Sequence, residues 1–171
     1  EEVFGLDFGY NHETAIAGVK IDFDNKKIYA KQYLYESFLT TDDIIERIKD
    51  INNINSSSRL ICDSARPEII QVIADNGFNA ENADKGKNSV QDSILNIKKN
   101  QLFIDKGSSD LLKEIRGYKW KVHKNGQVLD EPVKVNDHLM DALRYATFTE
   151  EDSFTYVSVW YARIIIIKKE N

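Results

Sequence analysis

The stretch V-F-G-L-D-F-G-Y-N-H-E-T-A-I-A-G-V-K-I-D-F-D-N-K-K-I-Y-A-K-Q-Y-L-Y, residues 3–35, decides the fold. Val3 to Phe8 is a short apolar strand running into Asp7-Phe8-Gly9-Tyr10. After a polar turn through Asn11, His12 and Glu13, a second strand of small and β-branched residues spans Thr14 to Ile21. Asp22 to Lys26 carries Asp and Asn turn chemistry. Lys27 to Tyr35 then alternates, with Ile28, Ala30, Gln32 and Leu34 on one face and Tyr29, Lys31, Tyr33 and Tyr35 on the other, the period of a sheet strand. Short turns between the three segments predict an antiparallel meander.

Downstream the periodicity changes. Thr41 to Ile51 reads as a helix capped by Thr40 or Thr41, with Asp42 and Asp43 in its first turn and an Ile44, Ile45, Ile48, Ile51 stripe. Arg59 to Asp63 is a short buried strand. Pro67 opens a second helix at its favoured position and Gly77 closes it. Asn79 to Lys87 reads as a polar connection, Val90 to Lys98 as a third helix, Leu102 to Ile104 as a strand and Ser109 to Arg116 as a fourth helix. Tyr118 to His123 alternates, Asn125-Gly126 signals a hairpin, and Val128 and Leu129 begin the return arm. Asn136 or Asp137 caps a last helix through Thr147, with Leu139, Met140, Leu143 and Ala146 inward. The expected class is α/β: a mixed sheet of a three-strand meander plus parallel strands, flanked by helices. We expect one domain over 1–150 and an extension over 151–171 whose Phe154 to Ile167 stretch has strand composition.

The chain has 171 residues, 42% hydrophobic and 30% charged, with two prolines, one cysteine and a net charge of −5. That is an ordinary globular composition. Cys62 alone supports neither a disulfide framework nor a multi-cysteine zinc site and fits a reducing compartment; it reads as a small buried hydrophobe. No apolar run reaches the roughly 18 residues a membrane span needs. The opening Glu1-Glu2-Val3-Phe4 carries no basic signal region and no Met, which we read as a domain of a longer protein. An acidic chain does not announce a nucleic-acid binder, so local charge matters.

The residues that suggest chemistry are acids in apolar settings. Asp7 lies in a strand otherwise made of Val, Phe, Leu and Phe, Asp63 ends R-L-I-C, and Asp141 shares a helix face with Leu and Ala. Acids are seldom buried unless paired. Each has a plain alternative: turn bonding for Asp7, helix capping for Asp63, a favourable first-turn position for Asp141. Brought together, they would repel by about 4 kcal/mol per pair at ~4 Å and an effective dielectric near 20. A divalent cation with oxygen ligands relieves that, and two such ions can clamp a phosphodiester. His138, three residues before Asp141, shares its helix face and can orient it, ligate a metal, meet a phosphate or simply cap and pack. His12 and His123 receive no role. Lys85 and Lys87 punctuate the polar connection, and Lys119, Lys121 and Lys124 line the hairpin with Tyr118 and Trp120 interleaved. That pattern suits a nucleic-acid backbone or, equally, a lysine-protected edge strand.

Five segments in order resemble the C-terminal nuclease domain of the large terminase subunit of tailed bacteriophages. They are G-L-D-F-G-Y-N-H-E-T-A (5–15), I-C-D-S-A-R-P-E-I-I (61–70), K-G-K-N-S-V-Q-D-S-I (85–94), E-I-R-G-Y-K-W (114–120) and N-D-H-L-M-D-A-L-R-Y-A (136–146). The resemblance implies a ribonuclease H-like fold with a hairpin near the active site, over residues 118–133. It implies a metal-dependent endonuclease that cuts concatemeric double-stranded viral DNA during packaging. Asp7, Asp63 and Asp141 would hold two Mg²⁺ or Mn²⁺ ions, with His138 as the accompanying catalytic histidine and Lys85, Lys87, Lys119 and Lys121 as candidate DNA contacts. The implied partners are double-stranded DNA, an ATPase motor in the same parent chain, the terminase small subunit and the portal; the implied location is the bacterial host cytoplasm. The chain carries no G-x-x-x-x-G-K-[ST] and so is not itself that motor. Rival readings are a Holliday-junction resolvase of the same fold, an actin or sugar-kinase type nucleotide-binding domain, and a non-catalytic interaction module.

Overall fold

The computed structural model describes residues 1–84, 86, 89–123, 128–133, 136–151 and 165–166. The expected meander forms as β1 (Val3–Asp7), β2 (Glu13–Asp22) and β3 (Lys27–Ser37). β1 pairs antiparallel with β2 from Val3↔Val19 to Asp7↔Ala15, and β2 pairs antiparallel with β3. Asp22 accepts both the backbone and side-chain N–H of Asn25, closing the β2–β3 turn.

Helix α1 (Thr41–Asp50) starts at a full capping box: Thr40 accepts from the Asp43 amide, and Asp43 accepts from the Thr40 amide. Strand β4 (Arg59–Cys62) returns parallel to β1 in the register Leu6↔Cys62. Helix α2 (Pro67–Asp75) opens on its proline, and beyond its Asn76 cap Gly77 takes the left-handed φ of 91° that glycine adopts most cheaply. Then follow β5 (Asn79–Asn82), α3 (Ser89–Lys99), β6 (Gln101–Ile104), α4 (Ser109–Gly117), the hairpin β7 (Trp120–Val122) and β8 (Val128–Pro132), α5 (His138–Glu151) and the short β9 (Ile165–Ile166).

Among the described residues the main sheet has seven strands in the order β5-β4-β1-β2-β3-β6-β9. The fold class is the expected mixed α/β sheet. Three details differ from the sequence reading. Asn79–Asn82 is not a connection but a parallel edge strand beside β4, steadied by the Arg59–Glu81 fork; its polar composition hid it. Ile165–Ile166 joins the opposite edge, parallel to β6, while the rest of the tail lies outside the described residues.

The third difference is in β3. Its alternation breaks where Ile16 faces Leu34 but Ala17 faces Gln32, which leaves Tyr33 as an extra residue. A bulge of this kind turns the following side chains over. Ile28 and Ala30 therefore point to the α5 side and Leu34 to the α1/α2 side, while Tyr35 packs against the α5 side.

The sheet is thus filled on both faces. On one, Phe4, Leu6, Ile16, Leu34, Leu60 and Cys62 meet Ile44, Ile45 and Ile48 of α1 and Ile69, Ile70 and Ile73 of α2. On the other, Val3, Ala15, Ala17, Ile28, Ile61 and Leu102 meet Leu139, Met140, Leu143 and Ala146 of α5, all buried as expected. At about 1.5–3 kcal/mol per buried aliphatic side chain, these two cores hold the layers together. Gly5 sets how closely α5 lies on the sheet: a Cβ there would fall 1.8 Å from the Ala142 carbonyl oxygen. Among the described residues no helix is long and apolar enough to cross a membrane.

Candidate metal centre

The topology brings the three acids to one end of the sheet. Asp7 is the last residue of β1. Asp63 follows the last residue of the neighbouring parallel strand, and its amide donates to the Leu6 carbonyl at 2.9 Å. Asp141 lies in the first turn of α5, next to Ala142, the residue seated on Gly5. The Asp137 carbonyl accepts from the Asp141 amide at 2.7 Å, so Asp137 is the N-cap, one of the two residues the sequence offered.

Asp7 is 7% exposed. Loss of hydration drives its carboxyl up from 3.8 to about 6, and the charges of Asp141 and Asp63 push the same way. The hydrogen bond from His138 opposes them. The hydroxyl of Tyr145, in α5, is held well above its ordinary value by burial first, then by Asp141, Asp7 and Asp63 in turn. Asp7 senses the other two acids and Tyr145 senses all three, so the carboxylates share one electrostatic neighbourhood.

Each acid also has a protein partner. His138 Nδ1 lies 2.9 Å from Asp7 Oδ2, and this contact is the leading cause that raises the imidazole pKa. The sequence placed His138 on the Asp141 face; its contact is with Asp7. Its Nε2 faces Glu13 Oε2 at 3.8 Å, and its ring stacks on His12 with centroids 5.8 Å apart. Arg144 donates to Asp141 Oδ1 through both Nε and Nη2, and its Nη1 reaches Ser93 Oγ at 3.4 Å. Asp63 Oδ1 accepts from the Ala65 amide at 2.9 Å, so the expected local role is present as a turn bond rather than a helix cap. The N-cap of α2 is Arg66, which makes no side-chain capping bond.

Among the described residues no three His, Cys, Asp or Glu side chains are already gathered into a metal cage. The donor chemistry nonetheless suits a hard divalent cation: carboxylate oxygens, one of them dehydrated and facing two further acids. Cys62 is fully buried and its thiol is raised by desolvation, which leaves it protonated and excludes it as a nucleophile.

A family model, the Terminase RNAseH like domain, matches residues 7–148. The chain belongs to that family. It is 30% identical over 165 residues to the large terminase subunit of Bacillus phage SPP1, covering 91% of this chain and 37% of that one. It is 26% identical over 157 residues to the large terminase subunit of Escherichia phage T5, covering 87% and 35%. The chain thus spans roughly a third of the length of these relatives. Its fold matches the solved nuclease domain of the SPP1 large terminase with bound Mn, at a TM-score of 0.78, 24% identity and coverage of 88% and 86%. The architecture is the ribonuclease H-like fold of large-terminase nuclease domains.

The basic candidates stand apart. Lys119 is exposed at the hairpin base, where its carbonyl accepts from the Val133 amide at 2.8 Å. Lys121 lies in β7. Lys85, Lys87 and the hairpin turn fall outside the described residues.

Several residues at this centre escaped the sequence reading. Arg144 and Tyr145 stood in the quoted H-L-M-D-A-L-R-Y segment, where i,i+3 spacing from Asp141 signals the ion pair. Gly5 inside an apolar strand signals a close backbone approach. Thr14 is fully buried, and its hydroxyl both donates to the Gly9 carbonyl and accepts from its amide, tying down the loop after Asp7. Nothing in the sequence marked Glu13.

Proposed function

We propose that this chain is a metal-dependent DNA endonuclease, the nuclease domain of a phage large terminase that cuts double-stranded concatemeric DNA during genome packaging. The placement of Asp7 at the end of β1, Asp63 just past the end of the adjacent β4 and Asp141 in the first turn of the overlying α5 carries the reading. Asp7, Asp63 and Asp141 would hold two Mg²⁺ or Mn²⁺ ions. Divalent ions bound there supply Lewis acidity for in-line attack of water on the scissile phosphodiester and for stabilising the leaving oxygen. The protein's part is positional. His138 fixes the Asp7 carboxylate through Nδ1, and Arg144 fixes Asp141. His138 would also hold a proton on Nδ1 against Asp7, a contact that favours its charged form. Lys85, Lys87, Lys119 and Lys121 would meet DNA phosphates, offsetting the acidic balance of the chain locally.

The working unit would be residues 1–150, with 151–171 as an extension whose Ile165–Ile166 covers the β6 edge. By its membership of the terminase family, the parent protein would carry an ATPase motor and act with the small subunit and portal in the host cytoplasm. Incubation with supercoiled plasmid under Mn²⁺, Mg²⁺ or EDTA tests the activity. Nicking and linearisation are expected with Mn²⁺, and neither with EDTA nor in Asp63→Asn. A four-way junction cut in preference to linear duplex would instead indicate a resolvase of the same fold. Duplex binding by the folded chain without cleavage under any divalent ion would indicate an interaction module.

A further inference from the structure

Glu114, which opens the segment E-I-R-G-Y-K-W, has no role in the scheme above, yet it is built into the start of α5. Glu114 is 7% exposed, on the face of α4 turned toward α5. Its Oε2 accepts the Met140 amide at 2.9 Å. That amide lies in the first turn of α5, where a helix cannot satisfy its own N–H groups. Glu114 therefore caps α5 from another element, and its negative charge suits the positive end of the helix. Met140 stands between His138 and Asp141 in sequence, so the bond fixes the turn that carries both.

The anchor is itself anchored. The α4 start is tied to β3, where Ser108 Oγ accepts from the Gln32 amide at 2.9 Å and the Gln32 side chain accepts from the Asp110 and Leu111 amides. One turn beyond Glu114, the buried phenol of Tyr118 lies within the fields of Arg144 and Asp141. Among the described residues Glu114 Oε1 makes no short hydrogen bond, although the Tyr35 phenol lies near enough to favour the ionised carboxyl. Glu114 lines a cavity of about 440 Å³ together with Tyr35, Lys119 and Asn136. A carboxyl kept this far from water is costlier than an apolar side chain of the same shape, so packing alone does not account for it. Desolvation accordingly lifts its pKa to about 7.

Resting on the nuclease reading, we propose that Glu114 is a positioning residue: through the Met140 amide it fixes the first turn of α5 and so aims His138 and Asp141 at Asp7. Metal affinity then depends on a residue that touches no metal.

The test is Mn²⁺ binding to the full chain, followed by the electron-spin resonance of free Mn²⁺, with hydrogen exchange of the Met140 amide read by NMR. Glu114→Leu keeps the size and removes the acceptor. It is expected to expose the Met140 amide to exchange and to weaken Mn²⁺ binding at least tenfold, the usual effect of losing a group that orients a ligand. Glu114→Gln retains an acceptor and is expected to bind within about threefold of wild type, since only the charge is lost. Ile48→Ala, a destabilising control in the opposite core, is expected to leave Mn²⁺ affinity unchanged. If Glu114→Leu does not fold, Glu114→Asp, one methylene too short to reach, replaces it with the same expectation. Wild-type affinity in the folded Leu or Asp variant overturns the proposal, as does a Gln variant as weak as Leu. A wild-type chain that binds no Mn²⁺ overturns the nuclease reading, and this proposal with it.

Discussion

Replacing Asp7 with Asn should stabilise the metal-free protein while destroying its metal site. The carboxyl of Asp7 is raised from 3.8 to about 6 because burial strips its hydration and Asp141 and Asp63 oppose its charge. A factor of ten in proton affinity is worth about 1.4 kcal/mol, so keeping Asp7 ionised at pH 8 costs the folded state about 3 kcal/mol. Asparagine removes that charge and keeps an oxygen facing His138. Allowing for the weakened His138 contact, the net gain is about 2 kcal/mol, or about 4–8 °C in Tm for a domain of this size. The sign reverses the familiar one for salt-bridged acids. A carboxyl raised in the folded state contributes stability below its unfolded pKa, and that contribution is lost as pH rises from about 4 through 6. The advantage of Asp7→Asn should therefore be present at pH 8, shrink through pH 6 and vanish near pH 4. Thermal unfolding in EDTA across this range, followed by circular dichroism, measures it. Saturating Mn²⁺ should invert the ranking, since ligand at a hundredfold Kd adds about 2.7 kcal/mol to the wild type alone. A Tm for Asp7→Asn equal to or below wild type at pH 8 in EDTA would refute the argument that Asp7 is held as a strained, cation-seeking carboxylate.

Asp141→Asn should behave oppositely, losing about 2–4 kcal/mol in urea denaturation, because it strips the carboxylate from Arg144, which is 5% exposed. For that reason Asp63→Asn is the cleaner inactive variant: plasmid cleavage should vanish while its unfolding midpoint stays within about 1 kcal/mol of wild type, and full activity in Mn²⁺ would remove Asp63 from the site. Gly5→Ala should fail to give soluble folded protein on expression, since its Cβ would lie 1.8 Å from a backbone oxygen that cannot yield without lifting α5. Thr14→Val, nearly the same shape, should cost about 1–3 kcal/mol by chemical denaturation through the unmet Gly9 amide and carbonyl, and should also loosen Mn²⁺ binding.

The elements that were legible in the sequence are those whose patterns depend on local rules. The meander, the Thr40 cap, Pro67 and Gly77 around α2 and the inward face of α5 follow from period, capping and turn chemistry. Asp7, Asp63 and Asp141 were legible as acids in apolar surroundings, and the topology then placed Asp7 at the end of β1 and Asp63 just past the end of the neighbouring parallel strand. What stayed hidden depends on partners distant in sequence. β5 is too polar to read as a strand, and it forms because Arg59 and β4 lie beside it. His138 shares a helix face with Asp141, a local relation, but it bonds Asp7, 131 positions away. Glu114 reads as an ordinary surface acid of an amphipathic helix until α5 is laid over it.

The extra residue at Tyr33 has a consequence for how this sheet can change. It acts as a frameshift in space: upstream of it, even-numbered side chains of β3 serve the layer beneath α5, and downstream odd-numbered ones do. Leu34 can thereby fill the α1/α2 core while Tyr35 lines the cavity beside Glu114. A one-residue deletion at the bulge could be absorbed by ironing it flat. The same deletion far from it, on either side, would send the intervening aromatic and aliphatic side chains to each other's layers. The strand therefore carries its own point of tolerance, and chains of this fold should vary in length at Tyr33 more readily than elsewhere in β3.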